Sequence, residues 1–89
     1  MNIYLLTSDR PFDLDLGAQF PEHHFVWDHA VLIESKQSQS KVYHAIKHAL
    51  PTDTPVMIAI LDHQPKFKGA KPGLLKWLRE RYDAMPARY

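Results

Sequence analysis

Phe25-Val26-Trp27-Asp28-His29-Ala30-Val31-Leu32-Ile33-Glu34 is the most strand-like stretch of the chain. Phe25, Trp27, Val31 and Ile33 share one parity and Val26, Ala30 and Leu32 the other, so both faces of an extended backbone are apolar. A strand of that kind belongs at the centre of a sheet. Asp28 and His29 interrupt the run and mark a bulge or a sheet end.

Upstream, Asn2–Thr7 is a short apolar run closed by Ser8-Asp9-Arg10-Pro11, which reads as a first strand and a turn. Between Pro11 and Glu22, Phe12, Leu14 and Leu16 alternate with Asp13 and Asp15, the pattern of a short edge strand. Gly17 and Pro21 limit its length, and most of the stretch reads as loop. Downstream, Ser38 or Ser40 caps a helix that runs to about Leu50, where Pro51 stops it. Its period puts Val42, Tyr43, Ile46, Ala49 and Leu50 on the core side and Lys41, His44 and His48 outside. Val56–Leu61, apolar on both parities, reads as a buried strand. Pro72 then opens a last helix with a Leu74, Leu75, Leu78, Tyr82 and Met85 stripe and Trp77 at its flank, Lys76 and Arg79 facing away. The expected class is α+β: a single domain over residues 1–89, with a small antiparallel or mixed sheet of three to four strands and two helices on one face, ferredoxin-like or a truncated variant of it.

A chain of 89 residues holds one hydrophobic core. It has no cysteine, which removes disulfides, thiolate zinc sites and thiol catalysis and fits a reducing, cytoplasmic compartment. The Met1–Leu6 start lacks the pattern of a signal peptide, and the apolar runs fall far short of the roughly 20 residues that span a bilayer. Gly17, Gly69 and Gly73 are the only glycines, so no Gly-x-Gly phosphate loop or dinucleotide fingerprint exists. A nucleotide-cofactor enzyme is not expected.

Charge is unevenly distributed although the net value is only +1. Asp9, Asp13, Asp15, Glu22, Asp28 and Glu34 face Arg10 alone in the first 35 residues. The last 24 carry Lys66, Lys68, Lys71, Lys76, Arg79, Arg81 and Arg88 against Glu80 and Asp83. A basic end suits a phosphate backbone, an acidic protein partner or a second copy of the chain; a merely solvated helix face is the plainer reading. Within it, Lys66-Phe67-Lys68-Gly69-Ala70-Lys71 is a basic loop with one aromatic. Its lysines can follow phosphates while Phe67 stacks on an exposed base, unless Phe67 serves only as a plug beneath the loop.

Other candidates carry less. Asp9, at the end of the first strand, can face a ligand or a divalent cation such as Mg or Mn, though an Asp there is commonly a turn former. His44 and His48 have the i, i+4 spacing of two imidazoles sharing a metal, without a third ligand in sight. His23, His24, His29 and His63 share no spacing, and Asp62-His63 would matter only if it met Asp9 across a sheet end.

The run Ile3-Tyr4-Leu5-Leu6-Thr7-Ser8-Asp9, the strand around Trp27–Ile33, the Ser40–Leu50 helix, the Val56–Leu61 strand and Leu74-Leu75-Lys76-Trp77-Leu78 together resemble a SinR-like protein, a family related to the small CRISPR adaptation subunit. The resemblance implies a ferredoxin-like fold, homodimers and, in nuclease members, a metal-binding aspartate after the first strand, a position Asp9 matches. It also implies a helix between the first two strands, where Pro11–Glu22 shows no helical period, and a tyrosine where this chain has Ser8.

Three functions follow in order. The first is a non-catalytic, dimeric binding module using Lys66, Phe67, Lys68, Lys71, Lys76, Arg79 and Arg81 on nucleic acid or an acidic protein. The second is a metal-dependent phosphodiesterase built on Asp9. The third is a phage- or toxin-associated regulator that acts by occupying a host protein.

Overall fold

Alternation along the first strand divides the molecule into two layers of core. In the computed structural model, which describes residues 1–12 and 15–83, β1 spans Asn2–Ser8, β2 His23–Trp27, β3 Ala30–Ser35, α1 Gln39–Ala49, β4 Val56–Ile60 and α2 Leu74–Tyr82. The strands form one sheet in the order β2-β3-β1-β4, with every neighbouring pair antiparallel. Tyr4 and Leu6 of β1 join Val31 and Ile33 of β3 under Val42, Ile46 and Leu50. Ile3 of β1 joins Ala30 and Leu32 of β3 under Leu74, Trp77 and Leu78. Alternate residues point to opposite faces, so α1 covers one face and α2 the other.

The α+β class, the antiparallel sheet and the two helices are those expected; their placement on one face is not. The physical reason is in the strands themselves. β1 and β3 are apolar on both parities, and a sheet with bare outer Ile3, Leu5 and Leu32 would expose them to water.

Since β1 is antiparallel to both β3 and β4, β3–α1–β4 is a split β-α-β unit with β1 inserted between its parallel strands. β1 and β2 stand in the same relation about β3, which is the ferredoxin-like strand arrangement. The described residues between β1 and β2 occupy the place of the first helix. Leu16 and Phe20 are buried in the α1-side core, and Phe20 N–H donates to Leu16 O at 2.7 Å, a single helical turn that plugs the core where a whole helix would lie. The described part of 11–22 contains no strand; Asp13 and Leu14 of the alternating pattern lie outside the described residues, as do Met85 of the last apolar stripe and Arg88.

The stretch expected as one central strand is a hairpin. Asp28 and His29 form its two-residue turn, and the register shifts between Phe25 and Trp27. Neither turn residue has positive φ, unlike the Asn-Gly turns that favour tight hairpins, so the bulge takes up the mismatch in twist. β4, expected to be buried, is an edge strand with Met57 68% exposed. Apolarity on both parities did not distinguish an open edge from a covered centre.

The helices follow their local signals. Ser38 caps α1, its hydroxyl accepting from Lys41 N–H at 3.2 Å. Val42, Ile46 and Leu50 are buried and Lys41, His44 and His48 exposed as the period requires, whereas Ala49 faces solvent. Gly73 leads into α2 with φ 90°, and a Cβ there would lie 3.3 Å from His24 Nε2. Trp77, expected at the flank of the stripe, is buried in the core, while Leu75 is exposed.

Candidate nucleic-acid interface

After β4 the chain crosses the α2 side of the sheet before α2 begins. Pro65, Lys66 and Phe67 of this crossing line a cleft of about 160 Å³, floored by Leu5, Ala30 and Leu32. Trp27 and Phe67 line it as well, at 49% and 39% exposure. The hairpin bulge explains Trp27's place. Val26 is buried in the α2-side core, and after the register shift Trp27 pairs with Ala30 of that same face, so two consecutive residues serve one side of the sheet.

The segment is anchored on the far side of the cleft. Lys71 N–H donates to Val26 O at 2.8 Å, and His24 Nε2 lies 3.1 Å from Pro72 O. These contacts cover the outer edge of β2 and hold the 65–71 loop across the sheet.

Of the predicted cations, Lys66, Lys68, Lys76 and Arg79 are exposed, and no carboxylate among the described residues pairs with them. Lys71 is exposed too, but its ammonium is 2.9 Å from Asp28 Oδ1. The hydrogen bond and charge of Lys71 hold the Asp28 carboxyl below its ordinary range.

Arg81 differs from the rest. Its side chain is only 13% exposed, its guanidinium lies 3.8 Å from the centre of the Trp77 ring, and Nη2 donates to Glu22 Oε2 at 2.6 Å. Nη1 donates to Trp77 O at 3.1 Å. Nε is 3.4 Å from Glu34 Oε1, close enough for ionic attraction but without hydrogen-bond geometry. Expected as a contact residue, Arg81 instead ties α2 to the carboxylates at the β2 and β3 ends.

The acidic and histidine candidates stay apart. Both Asp9 oxygens are engaged by Arg10, through Nε at 2.8 Å and Nη2 at 3.3 Å, which lowers the Asp9 pKa. Arg10 Nη1 also lies 3.8 Å from Asp53. The Asp9 carboxylate, 56% exposed, is thus paired with an exposed guanidinium in this structure. His44 and His48 stack on the exposed side of α1 with ring centroids 6.3 Å apart. No group of three His, Asp or Glu side chains among the described residues is placed to hold a metal. Leu61 N–H donates to Ile3 O, so Asp62 and His63 follow the start of β1 while Asp9 follows its end. That separation is about 20 Å at strand rise, and the three do not converge.

Trp27 is the residue that sequence reasoning misplaced. Assigned to the core parity of a central strand, it stands at the end of a hairpin strand; reading Asp28-His29 as a turn would have marked it. Compared with family models, curated proteins and solved structures, the chain matches none, so its function rests on these residues.

Proposed function

We propose that this protein is a non-catalytic binding module for the phosphate backbone of nucleic acid, contacted by the 65–71 loop and the exposed side of α2. The observation that supports the reading is the disposition of charge. Four carboxylates of the acidic N-terminal half already have cations: Asp9 with Arg10, Asp28 with Lys71, and Glu22 and Glu34 with Arg81. Lys66, Lys68, Lys76 and Arg79 are left as exposed cations without an internal counter-ion among the described residues. Cations of that kind release condensed counter-ions when they meet phosphates, so affinity depends steeply on salt.

The test is fluorescence anisotropy of a labelled oligonucleotide at 50 and 200 mM salt. With three or four phosphates neutralised, affinity falls about 20- to 50-fold across that range for a single strand and about 40- to 150-fold for a duplex. Binding that ignores salt, or no binding at 50 mM, overturns the reading. A stoichiometric complex with one host protein, formed without nucleic acid and lost in Lys66→Glu/Lys68→Glu, replaces it with the protein-partner function.

We also propose that two copies pair along β4. The Leu61–Ile3 bond and the β1–β4 register turn the odd-numbered backbone groups of β4 toward β1, which leaves those of Val56, Ile58 and Ile60 facing outward. β4 carries no charge to discourage edge pairing, and the exposed Gln39 amide that donates to Ile58 O at 3.3 Å would give way to the partner strand. Ile60→Pro removes an outward N–H without breaking the ladder to β1. Light scattering should give a dimer for the parent and a monomer for the variant; a monomeric parent refutes the pairing.

A further inference from the structure

We infer that the nucleic acid this surface takes is single-stranded, with one unstacked base seated in the cleft between Trp27 and Phe67. This rests on the phosphate-binding reading and adds the chemical form of the ligand to it.

The cleft's size is the first argument. At about 160 Å³ it is well below the roughly 300–1,000 Å³ typical of pockets that enclose a whole small ligand. Such a space holds about one flat ring, so a larger ligand seated there leaves its remainder outside. The lining supplies the second. Leu5, Ala30 and Leu32 make an apolar floor, and Trp27 and Phe67 present partly exposed aromatic rings. Aromatic rings of this kind stack on any base, since every base has a π-face. In a duplex those faces are already covered by neighbouring pairs, so only an unpaired base has one to offer.

Charge supplies the third. Lys66 belongs to the cleft wall, and Lys68 follows one residue beyond Phe67 with no carboxylate among the described residues paired to it. A base between the rings therefore carries its own phosphate toward ammonium groups. The polar side chains of the lining are the Thr7 hydroxyl, the Trp27 indole and Lys66. That set is too sparse to read the hydrogen-bonding edge of a base, and the binding is tolerant of sequence.

The experiment compares a single-stranded oligothymidylate with a mixed-sequence duplex of equal length at 50 mM salt, using the full chain. Single strand should bind at least about tenfold more tightly than duplex. Trp27→Ala and Phe67→Ala should each weaken single-strand binding about 5- to 150-fold, as loss of one stacked base does, and change duplex binding less than twofold. Trp27→Leu, which keeps apolar bulk on the half-exposed site, separates stacking from folding: it should retain the parent's thermal midpoint and still lose single-strand affinity. Equal affinity for both forms, or aromatic variants that bind single strands like the parent, overturns this inference while the loop's role in phosphate binding stands. Absence of binding to either form overturns the phosphate reading and this inference with it.

Discussion

Replacing Arg81 by alanine separates a structural cation from a binding one. In the folded chain its guanidinium stacks on Trp77 at 3.8 Å, donates to Glu22 at 2.6 Å and to Trp77 O at 3.1 Å, and sits beside Glu34. The stack contributes about 1–2 kcal/mol when partly desolvated. The charge-assisted bond to Glu22 contributes about 1.5 kcal/mol, at the low end because Glu22 is 61% exposed. Removing the cation also leaves the Glu34 carboxylate, 17% exposed, without its counter-charge. Against these, freeing a long side chain returns about 2 kcal/mol of rotamer entropy. With about 1–2 kcal/mol more for the uncompensated, partly exposed Glu34 carboxylate, the net loss is about 2–3 kcal/mol, and for a domain of this size it lowers the thermal midpoint by roughly 10–20 °C. Urea unfolding followed by circular dichroism measures it, with Arg81→Lys expected in between because lysine keeps the charge but loses the planar stack. At a temperature where both proteins are folded, Arg81→Ala should bind oligonucleotide within about twofold of the parent. A stability loss below about 0.5 kcal/mol, or a large fall in affinity without one, refutes the assignment of Arg81 to structure.

Three further outcomes follow from the same contacts. Phe20→Ala should cost about 3–5 kcal/mol, as for any buried aromatic, because Leu16 and Phe20 fill core space that a helix would otherwise fill; a surface-like loss under 1 kcal/mol by urea titration would contradict this. The Asp28 carboxyl, followed by carbon NMR, should titrate below the ordinary 3.8 and move back toward it in Lys71→Ala. Because the folded value is the lowered one, the stabilisation from this pair is present above the ordinary aspartate range and is lost as pH falls through the folded value. Asp28→Asn releases the Lys71 ammonium and should raise oligonucleotide affinity about two- to fivefold at low salt in the anisotropy assay; an unchanged or weaker affinity counts against a phosphate ligand.

Local signals carried most of the secondary structure and little of the site. The apolar β1 run, the Ser38 cap and the Val42–Ile46–Leu50 face of α1 are decided by neighbours along the chain, and each appears where the residues point. The two-sided covering of the sheet was legible too, because Ile3 and Leu5 on one parity and Tyr4 and Leu6 on the other demand partners on both faces. Expecting both helices on one face set that demand aside. The hairpin was hidden because Asp28-His29 lacks the glycine that usually marks a two-residue turn. β4 was hidden because edge and centre look alike in an apolar pentamer. The basic loop stood out as a sequence, yet which of its cations are quenched depends on pairs far apart in the chain, Arg81 with Glu22 across 59 residues and Lys71 with Asp28. No spacing rule reaches that far, and Trp27 joins Phe67 only after the sheet has brought the hairpin end under the crossing loop.

The two indole N–H protons report on the central claim without any substitution, because Trp27 is half exposed in the cleft and Trp77 of α2 is buried against the sheet. In a proton–nitrogen correlation spectrum of the labelled protein, adding oligothymidylate should shift or broaden the Trp27 indole signal, leave that of Trp77 in place, and lose the effect as salt is raised. A Trp27 signal that does not move while oligonucleotide is demonstrably bound, or a disturbance centred on Trp77 instead, would mean that the base lies somewhere other than in this cleft.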